Sequence, residues 1–371
     1  GMLAAGTLRV GLPQSGQFPS CGGGLFALAG DITWTNEVDV YGNGGGVGNY
    51  EGTNTFAREL DLRGAGTKRI VSREGRLTFD AAADWDAYNW NGGGNDIVEF
   101  IVSGDGDVIH NGTGGDAIDL NGGPLTKNGS GTLSMPTVRS QSIGDTTING
   151  GRIIARHAEN FEERESNALP SGPRDVTVNS NGTLEVAAGV TLQEDSDVTV
   201  TNGGMLEVNG AMRGDDDITL YSGASVGGTG EITTMLTMPD GSVLTPGGSP
   251  GTLTFSDGLT LGAVTVEWEI GAGPVTDLID VTGTDNFEYA AGNPTITVNV
   301  SNYEGIEPVY STDDYVILQW VGDDPANTAS WQLGTIPEGW NAQGFVEDRD
   351  NNQVVLQRLG PPPSGSLFLI K

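Results

Sequence analysis

The sequence predicts an all-β protein that contains a β-helix, a solenoid in which short strands stack along one axis. Apolar and polar residues alternate over Arg174–Phe255, which is the period of a strand and not of a helix. The strand–corner–strand unit returns after 22, 19 and 18 residues, counted at Thr183, Met205, Ala224 and Ser242. Gly makes up 60 of 371 residues, and tight corners need its positive φ angles. A unit of this size cannot bury its apolar face alone, so each unit is expected to stack on the next.

The chain divides into four predicted segments, of which the first two form the solenoid and its cap. Residues 1–30 are rich in Gly, Ser and Pro and are expected to cap its N-terminal end. Residues 31–260 carry the strand pattern and are assigned to the β-helix, with the repeat clearest over 123–255. The insert at 156–172 lacks strand alternation, and we expect a short helix or a loop there.

Two neighbouring segments of the repeat resemble a known family. Leu125–Leu133 reads Leu-Thr-Lys-Asn-Gly-Ser-Gly-Thr-Leu, and Thr146–Gly151 reads Thr-Thr-Ile-Asn-Gly-Gly. Together they resemble the autotransporter-associated β-strand repeat, which occurs in autotransporter passenger regions and in large secreted bacterial surface proteins. Gly241–Phe255 resembles the closing coil of such regions. The resemblance implies a right-handed parallel β-helix outside the cell with a structural or adhesive role, and it supplies no catalytic residues.

The last third of the chain has a different pattern. Residues 261–359 contain longer strands separated by Pro and Asp turns, and four of the seven Trp residues. We predict a β-rich cap that closes the solenoid, built either as a β-sandwich-like module or as flattened coils. A separate module joined near Gly271–Pro274 is the alternative.

The fourth segment, 360–371, is a Pro-rich linker with a short apolar strand behind it. Three consecutive prolines make a stiff, extended spacer. A strand of this kind needs a partner, because an unpaired apolar strand aggregates. It either packs on the chain's own cap or adds as a strand to a neighbouring subunit. The candidate assembly residues are Leu367, Phe368, Leu369 and Ile370.

Charge and composition exclude several classes of protein. The chain has 17 basic and 49 acidic residues, a net charge of −32, which disfavours binding to nucleic acid and to anionic lipid. This charge suits a secreted protein, and simple solubility explains it equally well. Cys21 is the single cysteine, so a disulfide within the chain and a multi-cysteine metal site are excluded. The sequence contains no stretch of about 20 apolar residues, and its first residues lack the pattern of a signal peptide. We expect a mature secreted product or an excerpt of a longer protein.

Calcium is the one cofactor that the sequence suggests. Asp96 and Asp116 each follow glycines in partial copies of a Gly-rich Ca²⁺-binding nonapeptide, and their oxygens suit a hard cation. The two copies stand 20 residues apart instead of forming a contiguous array, so ordinary Gly-Asp corners explain them as well. Further acidic corners share this ambiguity: Asp105, Asp107, Asp215, Asp216 and Asp217.

Three aromatic residues give a candidate site for glycans. Trp85, Tyr88 and Trp90 crowd the segment 81–91, and exposed aromatic rings stack on sugars. The alternative is a loop that its aromatic side chains pin to the solenoid.

No motif in the sequence points to catalysis. Adjacent acids are common, but neighbours on a strand point to opposite faces and make poor catalytic pairs. Nucleophile elbows, phosphate-binding loops and metal-spaced His pairs do not occur in it. We therefore expect no enzyme and predict an extracellular structural protein of a bacterial surface layer, sheath or fibre. It would bind copies of itself through solenoid ends and the apolar tail. The alternatives are a monomeric adhesin for glycans or cell-surface components, and then a polysaccharide lyase or hydrolase.

Overall fold

The computed structural model divides the chain into two compact units, Gly1–Thr219 and Leu220–Lys371. All of the regular structure that it describes is β, and no helix occurs among the described residues. The division falls inside the segment 31–260 that the sequence assigns to one β-helix. The described residues are 8–10, 24–41, 43–63, 66–80, 85–86, 99–111, 118–120, 122–136, 143–156, 175–194, 197–214, 217–248, 250–271, 275–284, 286–302 and 314–359.

Unit 1 contains 23 strands among the described residues, and a further strand lies at its boundary. They are β1 (Leu8–Val10), β2 (Leu25–Ala29), β3 (Thr33–Trp34), β4 (Val38–Tyr41), β5 (Gly45–Glu51), β6 (Thr53–Phe56), β7 (Leu60–Arg63), β8 (Thr67–Ser72), β9 (Arg76–Phe79), β10 (Trp85–Asp86), β11 (Glu99–Ser103), β12 (Asp107–His110), β13 (Ile118–Asp119), β14 (Gly123–Lys127), β15 (Thr132–Pro136), β16 (Ile143–Ile148), β17 (Gly151–Arg156), β18 (Val176–Val178), β19 (Gly182–Val186), β20 (Thr191–Glu194), β21 (Val198–Val200), β22 (Met205–Val208), β23 (Ala211–Gly214) and, at the boundary, β24 (Ile218–Leu220).

The strands of unit 1 pair in parallel with strands one turn of the repeat away. One series runs β1-β4-β7-β10-β13, a second β2-β5-β8-β11-β14-β16-β18-β21, and a third β3-β6-β9-β12-β15-β17-β19-β22. A parallel pair, β20 with β23, follows the same rule. Strands that recur in a fixed order and stack on their own counterparts are compatible with a β-helix.

The core of unit 1 follows from alternation along each strand. In β18, Val176 and Val178 are fully buried, whereas Thr177 between them is half-buried and faces outward. Burying an aliphatic side chain of this kind contributes about 1.5–3 kcal/mol. Because the register is parallel, inward residues form columns, and one column in the second series is Phe26, Val47, Ile70, Val102, Lys127, Ile148, Val178 and Val200.

The corners of unit 1 stack so closely that they admit only glycine at some positions. Gly104 has a φ of +113°, and a Cβ there would lie 1.8 Å from the carbonyl oxygen of Ser72. Gly129, one turn further, has a φ of +77°, and its Cβ would lie 2.4 Å from the oxygen of Gly104. Both the backbone conformation and the approach of the neighbouring turn therefore require glycine.

Unit 2 contains fourteen further strands among the described residues. They are β25 (Ser225–Gly228), β26 (Glu231–Ile232), β27 (Leu236–Met238), β28 (Val243–Pro246), β29 (Thr252–Phe255), β30 (Leu259–Leu261), β31 (Thr265–Ile270), β32 (Leu278–Val281), β33 (Phe287–Tyr289), β34 (Thr295–Asn302), β35 (Tyr315–Trp320), β36 (Ser330–Leu333), β37 (Gly344–Asp348) and β38 (Gln353–Gln357).

Parallel pairing dominates unit 2 as well. The series are β25-β28-β31-β34-β36, β26-β29-β32-β35 and β27-β30-β33. Antiparallel pairing between named strands is confined, within the described part of the unit, to β38 with its two neighbours β35 and β37. The predicted cap region 261–359 therefore contains parallel strands as far as Leu333 and antiparallel pairing at β38.

Candidate assembly site

Most of the site residues predicted from the sequence lie outside the described residues. These are Asp96, Asp116, Asp215, Asp216, Tyr88, Trp90, Cys21 and the tail residues Leu367, Phe368, Leu369 and Ile370. The insert at 156–172 and the proposed junction at Gly271–Pro274 are also largely outside them. The predictions made from the sequence for these residues remain predictions.

Trp85 is a core residue, which corrects its proposed role in glycan binding. Its side chain is 1% exposed. The indole packs against Phe79, Phe100 and His110, with ring centroids 5.0, 5.3 and 4.6 Å away. Strand β10 places it there because Trp85 pairs with Leu60 on one side and with Ile118 on the other. A ring buried to this extent cannot stack on a sugar. Trp85 therefore belongs to the core of unit 1.

The acidic corners Asp105 and Asp107 bind the next turn of the chain. The Asp105 carboxylate accepts a hydrogen bond of 2.7 Å from the hydroxyl of Ser130, and Asp107 accepts one of 3.1 Å from the backbone N–H of Thr132. The bonds from Ser130 lower the pKa of Asp105, because they stabilise its charged form. Within the described residues no group of three or more His, Cys, Asp or Glu side chains could hold a metal ion.

Lys127 is a buried cation that ties two corners of unit 1 together. It is 2% exposed and stands in an inward column between Val102 and Ile148. Its Nζ donates to the carbonyl oxygens of Asn128, Gly129 and Gly150 at 3.0, 3.1 and 3.3 Å. Burial lowers its pKa to about 8, although Asp105 and Asp107 act in the opposite direction. The ammonium therefore supplies donors to carbonyls of two successive corners.

Lys68 is a second buried lysine in the same series of strands. It is fully buried between Gly45 and Phe100, and burial lowers its pKa to about 8. Neither lysine belongs to a motif that the sequence singled out. The alternation of the strands nevertheless indicates that both lysines face inward. Lys127 lies two residues after the inward Leu125, and Lys68 lies two residues before the inward Ile70.

The outer face of β16, β18, β21 and β24 carries polar residues in rows. One row contains the exposed aspartates Asp145, Asp175, Asp197 and Asp217, and the next contains Thr147, Thr177, Thr199 and Thr219. The strand register places Thr147 beside Thr177 and Thr177 beside Thr199. Neighbouring members of a row are about 4.8 Å apart, the spacing of strands in a sheet.

A third row on this face is a ladder of side-chain hydrogen bonds. The amide of Asn149 donates to Asn128 at 3.0 Å, and that of Asn179 donates to Asn149 at 2.8 Å. The hydroxyl of Thr201 continues the ladder to Asn179 at 3.5 Å. Amides at equivalent corners thus satisfy one another and fix the register of successive turns.

Unit 2 has its own buried charge at Asp277, which is 3% exposed. Its carboxylate accepts hydrogen bonds from the backbone N–H of Gly251 at 3.0 Å and of Glu269 at 2.7 Å. The indole N–H of Trp268 donates to the Asp277 carbonyl at 2.7 Å. Burial raises the pKa of Asp277 to about 7, the two N–H groups oppose this rise, and the nearby Glu269 adds to it. The Asp277 carboxylate therefore joins the backbone of Gly251 to that of Glu269.

Each unit presents edge strands. In unit 1 the second series begins with β2, where Leu25 is 51% exposed, and Ile32 after it is 40% exposed. In unit 2 one sheet ends at β37, in which Val346 is 41% exposed, while Phe345 packs on Trp331 of β36 at 5.8 Å. Unpaired strands with apolar residues are places where another chain can add.

Comparisons with known proteins leave the family of this chain open. No protein-family model matches the chain, and no curated protein sequence matches it either. The described residues include no helix with the length and hydropathy of a membrane span. The resemblance to the autotransporter-associated repeat therefore stays a prediction that rests on Leu125–Leu133 and Thr146–Gly151.

Proposed function

We propose that this protein is a right-handed parallel β-helix that serves as a structural subunit of an extracellular bacterial assembly, such as a surface layer, sheath or fibre. The observation that carries the proposal is the set of parallel ladders that end in edge strands with exposed apolar residues, of which Leu25 in β2 is the clearest. Within the described part of the chain no strand pairs with the outer side of these edges, so a strand of another subunit can add there and extend the ladder from one copy to the next.

Three internal features suit a subunit that bears mechanical load. The amide ladder at Asn128, Asn149 and Asn179 joins successive turns through side chains as well as backbone. The Lys127 ammonium adds donors to two corners that the ladders leave unpaired. The charge of −32 keeps long β-structures from uncontrolled lateral aggregation, which confines association to the edges.

Electron microscopy and sedimentation of the purified protein test the proposal directly. We expect elongated, end-to-end particles whose length grows with protein concentration. A protein that stays monodisperse and monomeric at all concentrations would contradict it. Deletion of residues 361–371 tests the tail separately, because unchanged assembly would exclude the tail as the connector.

A monomeric adhesin is the second candidate, favoured by two exposed tyrosines. Tyr50 in unit 1 is 50% exposed with the Arg73 guanidinium 4.5 Å from its ring centroid, and Tyr221 in unit 2 is 55% exposed. Exposed rings of this kind can stack on sugars, which Trp85 cannot. Glycan-array binding by a monodisperse protein, lost in Tyr50→Ala or Tyr221→Ala, would favour the adhesin over the structural subunit.

A further inference from the structure

We propose that the apolar tail Leu367–Ile370 of one copy adds as a parallel strand to the edge of β2 in a second copy, an edge that no other described strand pairs with. The inference rests on the proposed assembly and names the strand that receives the tail. Three observations support it: the edge position of β2, the incomplete cover of its inward Phe26, and the match between the two sequences.

Strand β2 is the most suitable edge at its end of unit 1. It pairs in parallel with β5, its one neighbour among the described residues. The other two series begin with β1, which has three residues including Arg9, and with β3, which has two. β2 has five residues, Leu-Phe-Ala-Leu-Ala, and all are apolar. It therefore offers the longest apolar edge for pairing with an incoming strand.

Phe26 of β2 lacks the cover that equivalent residues of later strands have, whereas Leu28 is buried. Val47 and Ile70, next in the inward column that begins with Phe26, are 0% exposed, whereas Phe26 is half-buried. Leu25 on the outward side is 51% exposed. A further strand stacked on β2 would cover Phe26 as β5 covers it from the other side. The apolar surface removed from water on both partners would drive the association.

The tail repeats the pattern of the strand that would receive it. Leu25-Phe-Ala-Leu and Leu367-Phe-Leu-Ile both place an aromatic residue second and an aliphatic residue fourth. In parallel register, Phe368 lies beside Phe26 and Ile370 beside Leu28, with both pairs facing inward. Leu369 then lies on the outward side beside Ala27, which is small and exposed. Stacking of like residues is how the aliphatic columns of unit 1 are built, for example Val176 beside Val198.

The linker favours a second copy over the chain's own unit 2. Seven residues, 360–366, separate Leu359 from the tail, and they include three consecutive prolines. Extended at about 3.1 Å per residue, such a linker reaches about 22 Å. Because consecutive prolines favour an extended and stiff conformation, the sequence of this linker favours presentation of the tail to a neighbour.

Disulfide trapping between two single-cysteine variants tests the pairing. In full-length Cys21→Ser protein, Ala27→Cys and Leu369→Cys are prepared separately, mixed and mildly oxidised. Strand neighbours about 4.8 Å apart lie within the Cα range of a disulfide. We expect a cross-linked heterodimer at least tenfold more abundant than with Ala29→Cys, which is two residues out of register, or with Thr237→Cys, which is exposed in unit 2.

A charge substitution gives a second, independent measurement. Leu369→Asp is expected to raise the protein concentration needed for assembly at least tenfold, because it places a charge beside Ala27 in the strand pair. Ser366→Asp, which adds the same charge before the tail strand, is the matched control and should change the threshold little. An equal effect of both substitutions would overturn the inference.

The outcomes separate this inference from the proposed function. Assembly without the Ala27–Leu369 cross-link overturns the β2 pairing and leaves the structural role standing. Absence of assembly overturns both. A disulfide that forms within single chains of the double variant Ala27→Cys/Leu369→Cys, and not between mixed single variants, shows that the tail covers its own β2 and overturns exchange between copies.

Discussion

Two corners of the molecule solve the same problem with opposite charges. At Lys127 in unit 1 a buried ammonium donates to three backbone carbonyls, and at Asp277 in unit 2 a buried carboxylate accepts from two backbone N–H groups. Each group supplies hydrogen-bond partners to the backbone of two separate segments. A buried backbone group without a partner costs about 1–3 kcal/mol, which explains why a charge is tolerated there.

The surroundings of the two charges differ, and this difference sets their response to pH. Lys127 has the opposite charges of Asp105 and Asp107 nearby, which oppose the effect of burial. Asp277 has the like charge of Glu269, which adds to it. The corner of unit 1 is thus electrostatically compensated, while the corner of unit 2 holds a carboxyl whose ionisation near neutral pH is unfavourable.

Adding a methyl group at the glycine of each corner should have the largest effect. A Cβ at Gly151 would lie 2.3 and 2.5 Å from the carbonyl oxygens of Gly131 and Gly129, whereas one at Gly247 would lie 2.0 Å from the Asp277 carboxylate. Both residues have positive φ. We expect Gly151→Ala to lower the free energy of unfolding by more than about 4 kcal/mol, because backbone would have to move. We expect a comparable loss for Gly247→Ala, because the Asp277 carboxylate is held by two backbone N–H groups and the added Cβ would lie 2.8 Å from the backbone nitrogen of Gly251.

Urea unfolding followed by tryptophan fluorescence measures both glycine variants. Gly189→Ala is the control, since Gly189 has a φ of +75° and no heavy atom within 4 Å of the added Cβ. It isolates the backbone strain, about 1–2 kcal/mol. If Gly151→Ala costs no more than this control, the corners of unit 1 do not stack as closely as described.

Replacement of Lys127 by Met tests the compensated corner. The side chain keeps its volume, but three carbonyl oxygens lose their donor, and we expect a loss of about 2–4 kcal/mol at pH 7. In the parent the folded pKa of about 8 lies below the ordinary 10.5, so the unfolded chain binds more protons between these values and stability rises with pH there. The increase in the free energy of unfolding with pH should be smaller in Lys127→Met, and the part that remains should come from Lys68. Arg69→Met, at an exposed position, should retain it in full.

Asp277→Asn tests the uncompensated corner. The folded pKa of about 7 lies above the ordinary 3.8, so the folded chain binds more protons between pH 4 and 7, and Asp277 makes stability fall as pH rises through this window. The variant should lack that fall. Its amide nitrogen faces one of the two N–H donors, so it should be less stable than the parent by about 1–3 kcal/mol at pH 4 and by less at pH 7.5.

Thermal unfolding at several pH values compares Asp277→Asn with the exposed control Asp257→Asn. The control should run parallel to the parent over pH 4–7 with a shift below about 0.5 kcal/mol. An Asp277→Asn curve that keeps the parent's slope would show that another group carries the pH dependence.

The sequence predicts the strands of this protein well where a strand has one buried face and one face in solvent, because apolar and polar residues then alternate. The Val-Thr-Val strands at 176–178 and 198–200 lie where the period of two places them. Lys127 and Asp277 obey the same period, since each lies two residues from an inward aliphatic residue, Leu125 and Ile279.

The partners of these groups could not be predicted from the sequence, and neither could the position of Trp85. Gly150 and Gly251 meet Lys127 and Asp277 through the stacking of turns that are more than 20 residues apart. Trp85 lies in a strand of two residues, which is too short to show alternation. Its burial follows from pairing with strands on both sides that are distant in the sequence.

Glu269→Gln should have the smallest effect, and it separates the two causes of the raised pKa of Asp277. Burial is the larger cause and the like charge of Glu269 the smaller, so removing that charge should lower the pKa of Asp277 slightly and leave it well above 3.8. The gain in stability at neutral pH should be a few tenths of a kcal/mol, because Glu269 is only half-buried and solvent screens it.

Carbon-detected NMR titration of the Asp277 carboxyl measures the shift. Glu267→Gln, at an exposed position two residues along the same strand, is the control. A midpoint that falls to the ordinary value in Glu269→Gln would mean that repulsion, and not burial, distinguishes this corner from that of Lys127.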